Sequence, residues 1–498
     1  MSSVLSRPWS SSSLSDSGSE SIETLTSAQQ SPINGRRATL PNSSDGSSGT
    51  DAELVSVTLP QVPSLSSFIF SPTNAILGSI KYACLQTLSN IKSGSITLID
   101  ASNVKAKEDA EVYHFGQVDG KTRATIRVLK SAFWPRLAVY SALGFGESFI
   151  WNEVEVDGLT DLIILFIRNR EYLASMELLP FGLNSVLNAV IHSKIPNTIY
   201  NSLHNIQAHY DLGNEMFESF LDPTMTYSCP IWEIGNENER LEDAQLRKIH
   251  RMLELAKIRK GDHVLEVGTG WGALSIEAVR LYDCRVTSLT LSKEQKALAE
   301  ARIAKAGLSD RITVLLQDYR LMDHTKHQFD RIVTVEMLEA VGHEFMPVFF
   351  EKADKLLKKD GILSLQVITM VDQRYAAYCK EIDFIQKYIF PGGHCPCVSA
   401  LTEAIYKGSE GRLVVDELHN IGPHYTKALR LWREDFMANF ERVRDETGLH
   451  HVYTQEFKRK WEYYFAYCEA GFATRALGDV QIRLTKECNE ELVVGIPL

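Results

Sequence analysis

The stretch that decides the fold is Val264-Leu265-Glu266-Val267-Gly268-Thr269-Gly270-Trp271-Gly272. It combines a short apolar strand, an acidic residue and a glycine-rich turn. Such turns bind nucleotide-like cofactors because glycine lets the backbone approach the ligand closely. The glycines follow a Gly-x-Gly-x-Gly spacing, and residues 273–280 have the pattern of the helix that begins after such a turn. This spacing favours S-adenosylmethionine over NAD as the cofactor.

The next segments along the chain predict a parallel sheet around this turn. Residues 285–291 alternate like a strand, and Ser292 then begins a helix-forming segment with Gln295 at the spacing of a capping box. Two more strand candidates, residues 312–316 and 329–335, are followed by polar residues. Because the carboxyl ends of parallel strands border one ligand crevice, these polar residues should converge on a single pocket. The predicted fold is α/β, a doubly wound, seven-stranded Rossmann-like domain of the class I methyltransferase type.

The chain is too long for one ordinary domain, since 498 residues suggest two or three. Residues 1–65 are predicted to be a disordered tail, because this segment is rich in serine and poor in large apolar side chains. We expect a small α+β domain at residues 66–176, a linker at 177–200 and the methyltransferase domain at 201–498.

The predicted small domain has a pattern of its own. Residues 94–100 and 125–128 resemble short strands, residues 143–148 a glycine-punctuated turn, and residues 159–166 a helix. None of these segments carries a recognisable catalytic constellation.

Charge and hydropathy limit the possible partners. The net charge is −11, from 63 acidic and 52 basic residues, which argues against a nucleic-acid ligand. No segment contains the roughly 18 uninterrupted apolar residues of a transmembrane helix. The N-terminal segment lacks the pattern of a secretory signal peptide. A serine-rich transit peptide for an organelle is an alternative interpretation of this segment. We expect a cytoplasmic protein with peripheral membrane contact, for which residues 68–80 and Lys458-Arg459-Lys460 are candidate patches.

The eight cysteines lack regular spacing, which is typical of reduced intracellular thiols. The run Pro391-Gly392-Gly393-His394-Cys395-Pro396-Cys397 could place an imidazole and two thiols on zinc. No second Cys/His pair lies nearby at the spacing of a zinc finger. We therefore interpret the run as a tight turn that shapes a pocket, and we predict no metal.

Several further motifs follow one another in a fixed order. They are His209-Tyr210-Asp211-Leu212-Gly213-Asn214, residues 221–232, Thr290-Leu291-Ser292 with Gln295, Met337-Leu338-Glu339-Ala340-Val341-Gly342, Tyr388-Ile389-Phe390-Pro391, His424-Tyr425 and residues 463–472. Together with residues 264–272, these motifs resemble the cyclopropane fatty acid synthases and mycolic acid cyclopropane synthases. The resemblance extends from about residue 94 to the C-terminus and leaves out the serine-rich tail.

The resemblance implies transfer of a methyl group from S-adenosylmethionine to a cis double bond of an acyl chain, usually in a phospholipid. Loss of a proton and closure of a cyclopropane ring would follow. The site must exclude water, because water would quench the carbocation. The resemblance also implies bicarbonate as the base and a possible homodimer. A methyl-branched acyl product, a methylated sphingoid lipid and a lipid-binding relative without catalysis remain alternatives.

The resemblance assigns four residues to the bicarbonate site. Cys229 and Ile368 would contribute main-chain groups, Glu339 would orient the anion, and the hydroxyl of Tyr425 would point into the site. From the residues alone, Glu339 could be a plain acid at a helix start, but the neighbouring acid Glu336 and the strand end favour a site. Tyr425 could simply anchor a buried turn through its hydroxyl.

Two more candidate catalytic residues have alternative interpretations. Gln366 stands where many relatives carry histidine, and it can donate a hydrogen bond to an anion but cannot relay a proton. Cys468 matches a cysteine traditionally marked as the active-site residue of the family. Its apolar helical setting suits an inert core thiol equally well.

The cofactor contacts come partly from the glycine turn and partly from the resemblance. Gly268, Gly270 and Gly272 let the backbone approach the cofactor closely, and Glu266 lies next to this turn. Thr290, Leu291 and Gln295 match the ribose side. The remaining contacts are Tyr227 and Ser228 at the methionine end, and Gln317, Asp318 and Tyr319 beside the adenine.

Overall fold

The computed structural model describes residues 72–103, 110–117, 122–174 and 213–492, which belong to one compact unit. The predicted tail at 1–65, the linker at 177–200 and the motif residues 209–212 lie outside the described residues. Within the described ranges, no helix is long and apolar enough to cross a membrane.

The N-terminal part contains a four-stranded sheet. Its strands are β1 (Ser95–Asp100), β2 (Glu111–Gly116), β3 (Arg123–Val128) and β4 (Val154–Asp157), in the order β2-β1-β3-β4. Its helices are α1 (Pro72–Leu88), α2 (Phe133–Ile150), α3 (Leu159–Arg168) and α4 (Arg170–Ala174). Every second residue of β1 is buried, so one face of the sheet packs on the core. The sequence analysis identified β1, β3 and α3, and it missed β2 and β4.

The turn predicted at residues 143–148 is wrong, because this segment lies inside helix α2. The chain bends earlier, at Ser141, which has a positive φ of 49°. The glycines that suggested a turn allow close packing instead. A Cβ on Gly146 would lie 3.0 Å from the rings of Phe384 and Tyr463, and a Cβ on Gly144 would lie 2.3 Å from a backbone oxygen.

The second sheet has the seven strands that the sequence predicts. They are β5 (His263–Val267), β6 (Arg285–Thr290), β7 (Ile312–Leu316), β8 (Phe329–Val335), β9 (Leu357–Met370), β10 (Leu413–Asn420) and β11 (Leu477–Lys486). The order is β10-β11-β9-β8-β5-β6-β7. Strands β5 to β9 pair in parallel, whereas β11 pairs antiparallel with both β9 and β10. The sheet is therefore mixed, with the parallel strand ends facing one crevice.

Helices connect and cover these strands. They are α5 (Asn214–Glu218), α6 (Leu241–Leu255), α7 (Ala273–Tyr282), α8 (Lys293–Lys305), α9 (Met346–Leu356), α10 (Asp372–Tyr378), α11 (Phe384–Tyr388), α12 (Val398–Ser409), α13 (Tyr425–Thr447) and α14 (Gln455–Ala473). Short 3₁₀ turns lie at Tyr319–Leu321, Leu338–Ala340, His343–Phe345, Gly422–His424 and Glu490–Leu492.

Ser292 begins helix α8 as predicted, but only half of the capping box forms. The hydroxyl of Ser292 accepts a hydrogen bond from the backbone N–H of Gln295 at 3.1 Å. The side chain of Gln295 does not return the bond to Ser292, because its Oε1 accepts from the hydroxyl of Thr290 at 3.0 Å. The glutamine is thus held towards the end of β6.

Helix α14 joins the two sheets, because it packs against α13 on one side and against α2 and α3 on the other. Arg459 donates hydrogen bonds to the carbonyls of Phe149 and Val154, at 2.5 and 2.7 Å. Lys458 pairs with Glu441, and Lys460 lies over the ring of Phe457. The basic run predicted as a membrane patch therefore serves internal packing.

Candidate active site

A cavity of about 190 Å³ lies at the carboxyl ends of β5, β6 and β8. We call it the cofactor cavity. The structure places eleven of the twelve predicted cofactor residues on its wall, namely Tyr227, Ser228, Glu266, Gly268, Gly270, Thr290, Leu291, Gln295, Gln317, Asp318 and Tyr319. The parallel sheet brings these residues together because successive strands end along the same edge.

Gly272 does not line this cavity, and its predicted close approach to the cofactor stays a prediction. It precedes α7 with a φ of 89°, and a Cβ there would lie 3.3 Å from the Cβ of Ala299. Gly272 therefore lets α7 and α8 pack closely. Gly270, with a φ of 52°, has no described atom within 4 Å of its Cβ position, so the turn presents an open face to the cavity. This open face fits a cofactor that approaches the backbone.

Glu266 lies at the base of the cofactor cavity and is 3% exposed. One of its carboxylate oxygens, Oε2, accepts hydrogen bonds from the hydroxyls of Ser275 and Ser288, each at 2.5 Å. Burial raises the pKa of Glu266 to about 7, although the two hydroxyls lower it in part. The carboxyl group is thus fixed by both neighbouring elements, α7 and β6.

The residues predicted to lie beside the adenine include an internal ion pair that the sequence did not reveal. Asp318 accepts hydrogen bonds from Nε and Nη2 of Arg320, at 2.9 and 2.6 Å, and from the Arg320 backbone N–H at 2.8 Å. The hydroxyl of Tyr319 is buried without a hydrogen-bond partner among the described residues. The Asp318 carboxylate is therefore neutralised before any ligand binds.

Next to Ser228, which is predicted to lie at the methionine end, the wall of the cofactor cavity contains a buried lysine that the sequence analysis missed. Lys248 is 1% exposed and donates a hydrogen bond to the hydroxyl of Ser228. Burial lowers the pKa of Lys248, while nearby acids, with Glu336 the strongest, oppose this shift. Beside it, the hydroxyls of Tyr227 and Tyr464 hydrogen-bond to each other at 2.8 Å.

A second cavity, of about 1030 Å³, lies between the two sheets. We call it the acyl cavity. Its walls are largely aromatic and aliphatic and include Phe145 and Phe166 from the N-terminal part and Tyr463 and Tyr467 from α14. Tyr227, Glu336 and Ala340 line both cavities. The two cavities therefore meet at these three residues.

Glu336 is the centre of the polar groups at this junction. Its Oε1 accepts hydrogen bonds from the backbone N–H of Cys229 and from Nε2 of Gln366, both at 2.7 Å. Its Oε2 accepts a hydrogen bond from the hydroxyl of Tyr425 at 2.8 Å. Cys229 and Tyr425, which the resemblance assigned to bicarbonate, thus converge with Gln366 on a carboxylate of the chain. Only the position of Glu336 at a strand end hinted at this role in the sequence.

Glu339 lies close to this cluster and faces the acyl cavity. Its Oε1 accepts a hydrogen bond from the backbone N–H of Ile368 at 2.5 Å. Its Oε2 is buried and has no hydrogen-bond partner in the described part of the chain. Burial, followed by the charge of Glu336, raises the pKa of Glu339 to about 8. Glu339 is therefore mainly protonated at neutral pH and can donate a hydrogen bond.

Gln366 is fixed in one orientation by a chain of hydrogen bonds. Nε of Arg251 donates to Oε1 of Gln481, and Nε2 of Gln481 donates to Oε1 of Gln366, each at 2.9 Å. The Nε2 group of Gln366 must therefore point to Glu336 and to the Asp479 carboxyl, 2.9 Å away. Burial and the charge of Glu336 raise the pKa of Asp479 well above its usual value.

Cys468 lies in α14 and lines the acyl cavity. Burial raises the pKa of its thiol, so it offers a neutral sulfur to this cavity rather than a thiolate. Its catalytic role stays a prediction.

The residues of the His394-Cys395-Cys397 run do not converge on one point. Cys397 accepts a hydrogen bond from the Ala400 N–H at the start of α12, whereas Cys395 donates to the carbonyl of Ile368. His394 lies instead beside His343 and Cys379, whose ligand atoms lie within 4.8 Å of one another. The hydroxyl of Tyr375 hydrogen-bonds to both histidines. The run therefore has separate structural contacts.

The chain is similar to several known proteins. A family model described as mycolic acid cyclopropane synthetase matches residues 198–482. The chain is 37% identical over 364 residues to the tuberculostearic acid methyltransferase UfaA1 of Mycobacterium tuberculosis, covering 71% of this chain and 81% of that protein. It is 32% identical over 387 residues to the cyclopropane-fatty-acyl-phospholipid synthase of Escherichia coli K12, covering 73% of this chain and 88% of that protein.

One solved structure combines a similar sequence with a similar fold. It is the mycolic acid cyclopropane synthase CmaA1 complexed with SAH and CTAB, with 31% identity and a TM-score of 0.51. The alignment covers 57% of this chain and 98% of that one.

Proposed function

This chain belongs to the mycolic acid cyclopropane synthetase family and is an S-adenosylmethionine-dependent methyltransferase of lipids, and we propose that it forms a cyclopropane ring in an unsaturated phospholipid acyl chain. The observation that carries this proposal is the junction of the two cavities at Tyr227, Glu336 and Ala340. A small polar cavity and a large apolar one that open onto the same three residues suit the transfer of one carbon between two ligands.

The acyl cavity supports a long apolar substrate. Its volume of about 1030 Å³ lies at the upper end of the roughly 300–1,000 Å³ that ligand pockets span. Aromatic rings from α2, α3 and α14 form its walls, and a carbocation near such rings is stabilised by their negative faces. Exclusion of water by the same walls protects the cation from quenching.

S-adenosylmethionine supplies an electrophilic methyl group on a positively charged sulfur. The walls of the acyl cavity hold the double bond at the junction, and its π electrons form the new bond to the methyl carbon. The electrons of the carbon–sulfur bond stay on the sulfur, which leaves one positive charge on the acyl chain. A base then removes one proton from the new methyl group, and the electrons of that C–H bond close the ring.

The base predicted from the resemblance, bicarbonate, would need the N–H of Cys229, the amide of Gln366 and the hydroxyl of Tyr425. All three donate to Glu336. Bicarbonate as the base is therefore a separate hypothesis from the methyl transfer.

A methyl-branched acyl product is the second candidate. It is favoured by the 37% identity to a protein named as a tuberculostearic acid methyltransferase. Both products begin with the same methyl transfer and differ in what happens to the cation afterwards. The two cavities suit both equally.

The open side of the acyl cavity suggests where the lipid head group lies. Arg170 and Arg374 line this cavity, and Arg374 is exposed. Cationic side chains there would attract a lipid phosphate. We propose peripheral membrane contact at this side, a cytoplasmic location and a homodimer. Flotation with liposomes, fractionation of cells and size-exclusion chromatography test these three points.

The function is tested with the purified full-length protein, S-adenosylmethionine carrying a labelled methyl group and liposomes of cis-unsaturated phospholipid. We expect a labelled cyclopropane acyl chain by mass spectrometry after methanolysis. The Glu339→Gln variant should lose it, while Glu344→Gln, an exposed acid close by, should keep it. A labelled methyl-branched chain would select the second candidate. The absence of any lipid product, despite cofactor binding, would overturn both.

A further inference from the structure

The junction of the two cavities already contains a carboxylate that belongs to the chain. We infer that Glu336 is the base that removes the proton from the transferred methyl group, in place of a bound bicarbonate. The inference rests on the proposed function, because it assigns a residue to one step of that reaction.

The strongest observation is that Glu336 occupies the donors that a bicarbonate would need. The N–H of Cys229, the amide of Gln366 and the hydroxyl of Tyr425 all donate to its two oxygens within 2.8 Å. A carboxylate and a bicarbonate have the same pair of anionic oxygens, so the same donors suit either group. A second anion placed beside Glu336 would meet a like charge and would lack these donors. The chain therefore supplies its own anion.

The backbone at Glu336 is held in a conformation that a side chain rarely adopts. Its φ is 48°, in the left-handed region, immediately after β8. Its N–H donates to the carbonyl of Gln366 at 2.8 Å, which ties the turn to β9. A non-glycine residue with this φ costs of order 1–3 kcal/mol, and such costs cluster at functional sites. The turn holds Glu336 in the wall that the two cavities share.

The groups around Glu336 hold its carboxyl group in place. The hydrogen-bond chain from Arg251 keeps the amide donor of Gln366 facing it. Burial, followed by the charge of Glu336, raises the pKa of Asp479 well above its usual value and raises that of Glu339 to about 8. The buried ammonium group of Lys248 attracts the carboxylate. Pairs of acids whose environments differ in this way divide into proton donor and base.

Glu336 also lies where the proton is released, because its side chain lines both cavities whereas that of Glu339 lines only the acyl cavity. In the proposed step, Glu336 takes a proton from the methyl group on the cationic acyl chain. The electrons of the broken C–H bond form the third side of the ring, and the positive charge on carbon disappears. Glu336 becomes neutral and then loses its proton to solvent, which restores the base.

The first test measures the wild-type protein in CO₂-depleted buffer, with and without added bicarbonate. We expect the rate of lipid methylation to change by less than about twofold, because the base is part of the chain. A wild-type rate that falls at least about tenfold without bicarbonate, and returns with it, would overturn the inference. If the wild-type protein forms no lipid product under either condition, it is the proposed function that has failed.

The second test removes the carboxylate in two ways. Glu336→Gln should lose about 10²–10⁴-fold in rate and should not respond to bicarbonate, because the amide fills the site without accepting a proton. Glu336→Gly suits the positive φ and leaves a space, so bicarbonate or acetate should restore the rate at least about tenfold.

The controls separate a lost base from a damaged fold. Both Glu336 variants should bind S-adenosylmethionine within about threefold of the wild type, which is less than about 0.7 kcal/mol. Glu344→Gln should match the wild type in rate. A Glu336→Gln variant that keeps more than about a tenth of the rate would contradict the inference. If both Glu336 variants fail to fold, the bicarbonate measurement on the wild type still decides the question.

Discussion

The cofactor cavity and the acyl cavity meet at the same residues but are built in different ways. Residues 225–341 supply the whole described wall of the cofactor cavity, mostly as consecutive turns after strands. The wall of the acyl cavity extends from Cys84 to Leu477 and depends on the packing of α14 between the two sheets. A site of local turns is visible as a motif in the sequence. A site made by distant helices becomes visible only after folding.

The largest effect on ligand binding is expected when a side chain is introduced at the open face of the glycine turn. Gly270→Val should weaken binding of S-adenosylmethionine at least about 100-fold, or about 2.7 kcal/mol, because the new side chain enters the cofactor cavity. Isothermal titration calorimetry measures this loss. Gly307→Val is the matched control, since Gly307 also has a positive φ and open space around its Cβ position but lies after α8. Equal binding by both variants would contradict the local character of the cofactor cavity.

Loss of the long-range contacts around the acyl cavity should lower lipid turnover and leave cofactor binding unchanged. Glu147 is 5% exposed and accepts hydrogen bonds from Lys387 at 2.6 Å and from the Tyr388 hydroxyl at 2.8 Å. Glu147→Ala should therefore loosen α11 from α2, lower lipid turnover about tenfold and cost about 1–3 kcal/mol of unfolding free energy. Kinetics at several liposome concentrations, with calorimetry for the cofactor, separates the two effects.

The matched control for Glu147→Ala is Glu155→Ala. Glu155 lies in the same N-terminal part and pairs with Arg127, but both side chains are about half exposed. Its removal should change neither activity by more than about twofold nor stability by more than about 0.5 kcal/mol. A cofactor affinity that falls with Glu147→Ala would show that the two cavities are coupled.

The difference between local turns and distant packing explains which parts of the fold and of the site could be predicted from the sequence. Strands β5 to β8, the helices after β5 and β6 and the glycine turn follow from local patterns, whereas most of the other cofactor residues follow from the family resemblance. The turn predicted at residues 143–148 was wrong, because Gly146 packs against aromatic rings about 240 and 320 positions away, and this distant packing overrides the local turn signal.

Glu336 illustrates the same limit at the site itself. Its acidic character was visible, but its role depends on a positive φ and on donors from Cys229, Gln366 and Tyr425, which are 30 to 107 positions away. The resemblance places Cys229 and Tyr425 at one site, and the strand end places Glu336 near it. It does not show that one carboxylate occupies all three donors.

The two cavities each contain a buried acid with a raised pKa, and the pH windows should differ. Burial raises the pKa of Glu266 to about 7 in the cofactor cavity and that of Glu339 to about 8 in the acyl cavity. A raised pKa in the folded state gives stability that is present below the unfolded pKa and is lost as pH rises through the folded pKa. The loss should occur between about 4.5 and 7 for Glu266, and between about 4.5 and 8 for Glu339.

Substitution of either acid by glutamine should remove its share of this pH dependence. We expect the unfolding free energy relative to the wild type to rise across each window, by about 3 kcal/mol for Glu266→Gln and about 5 kcal/mol for Glu339→Gln, at about 1.4 kcal/mol per pKa unit. Urea denaturation between pH 4.5 and 8.5 measures this change. For Glu344→Gln, the difference in unfolding free energy from the wild type should not change with pH across this range. A Glu339→Gln difference that falls with pH would contradict the raised pKa.

The smallest effect on stability is expected at the first residues of two helices, one beside the cofactor cavity and one beside the N-terminal part. Ser292 caps α8 beside the cofactor cavity, and Thr454 caps α14 beside the N-terminal part, each by accepting a backbone hydrogen bond. Alanine at either position should cost about 1 kcal/mol of unfolding free energy. Ser292→Ala should also weaken cofactor binding about two- to threefold, because the first turn of α8 positions Gln295, whereas Thr454→Ala should leave it unchanged. If Thr454→Ala weakens cofactor binding as much as Ser292→Ala does, then α14 supports both cavities, and the local turns do not form the cofactor cavity by themselves.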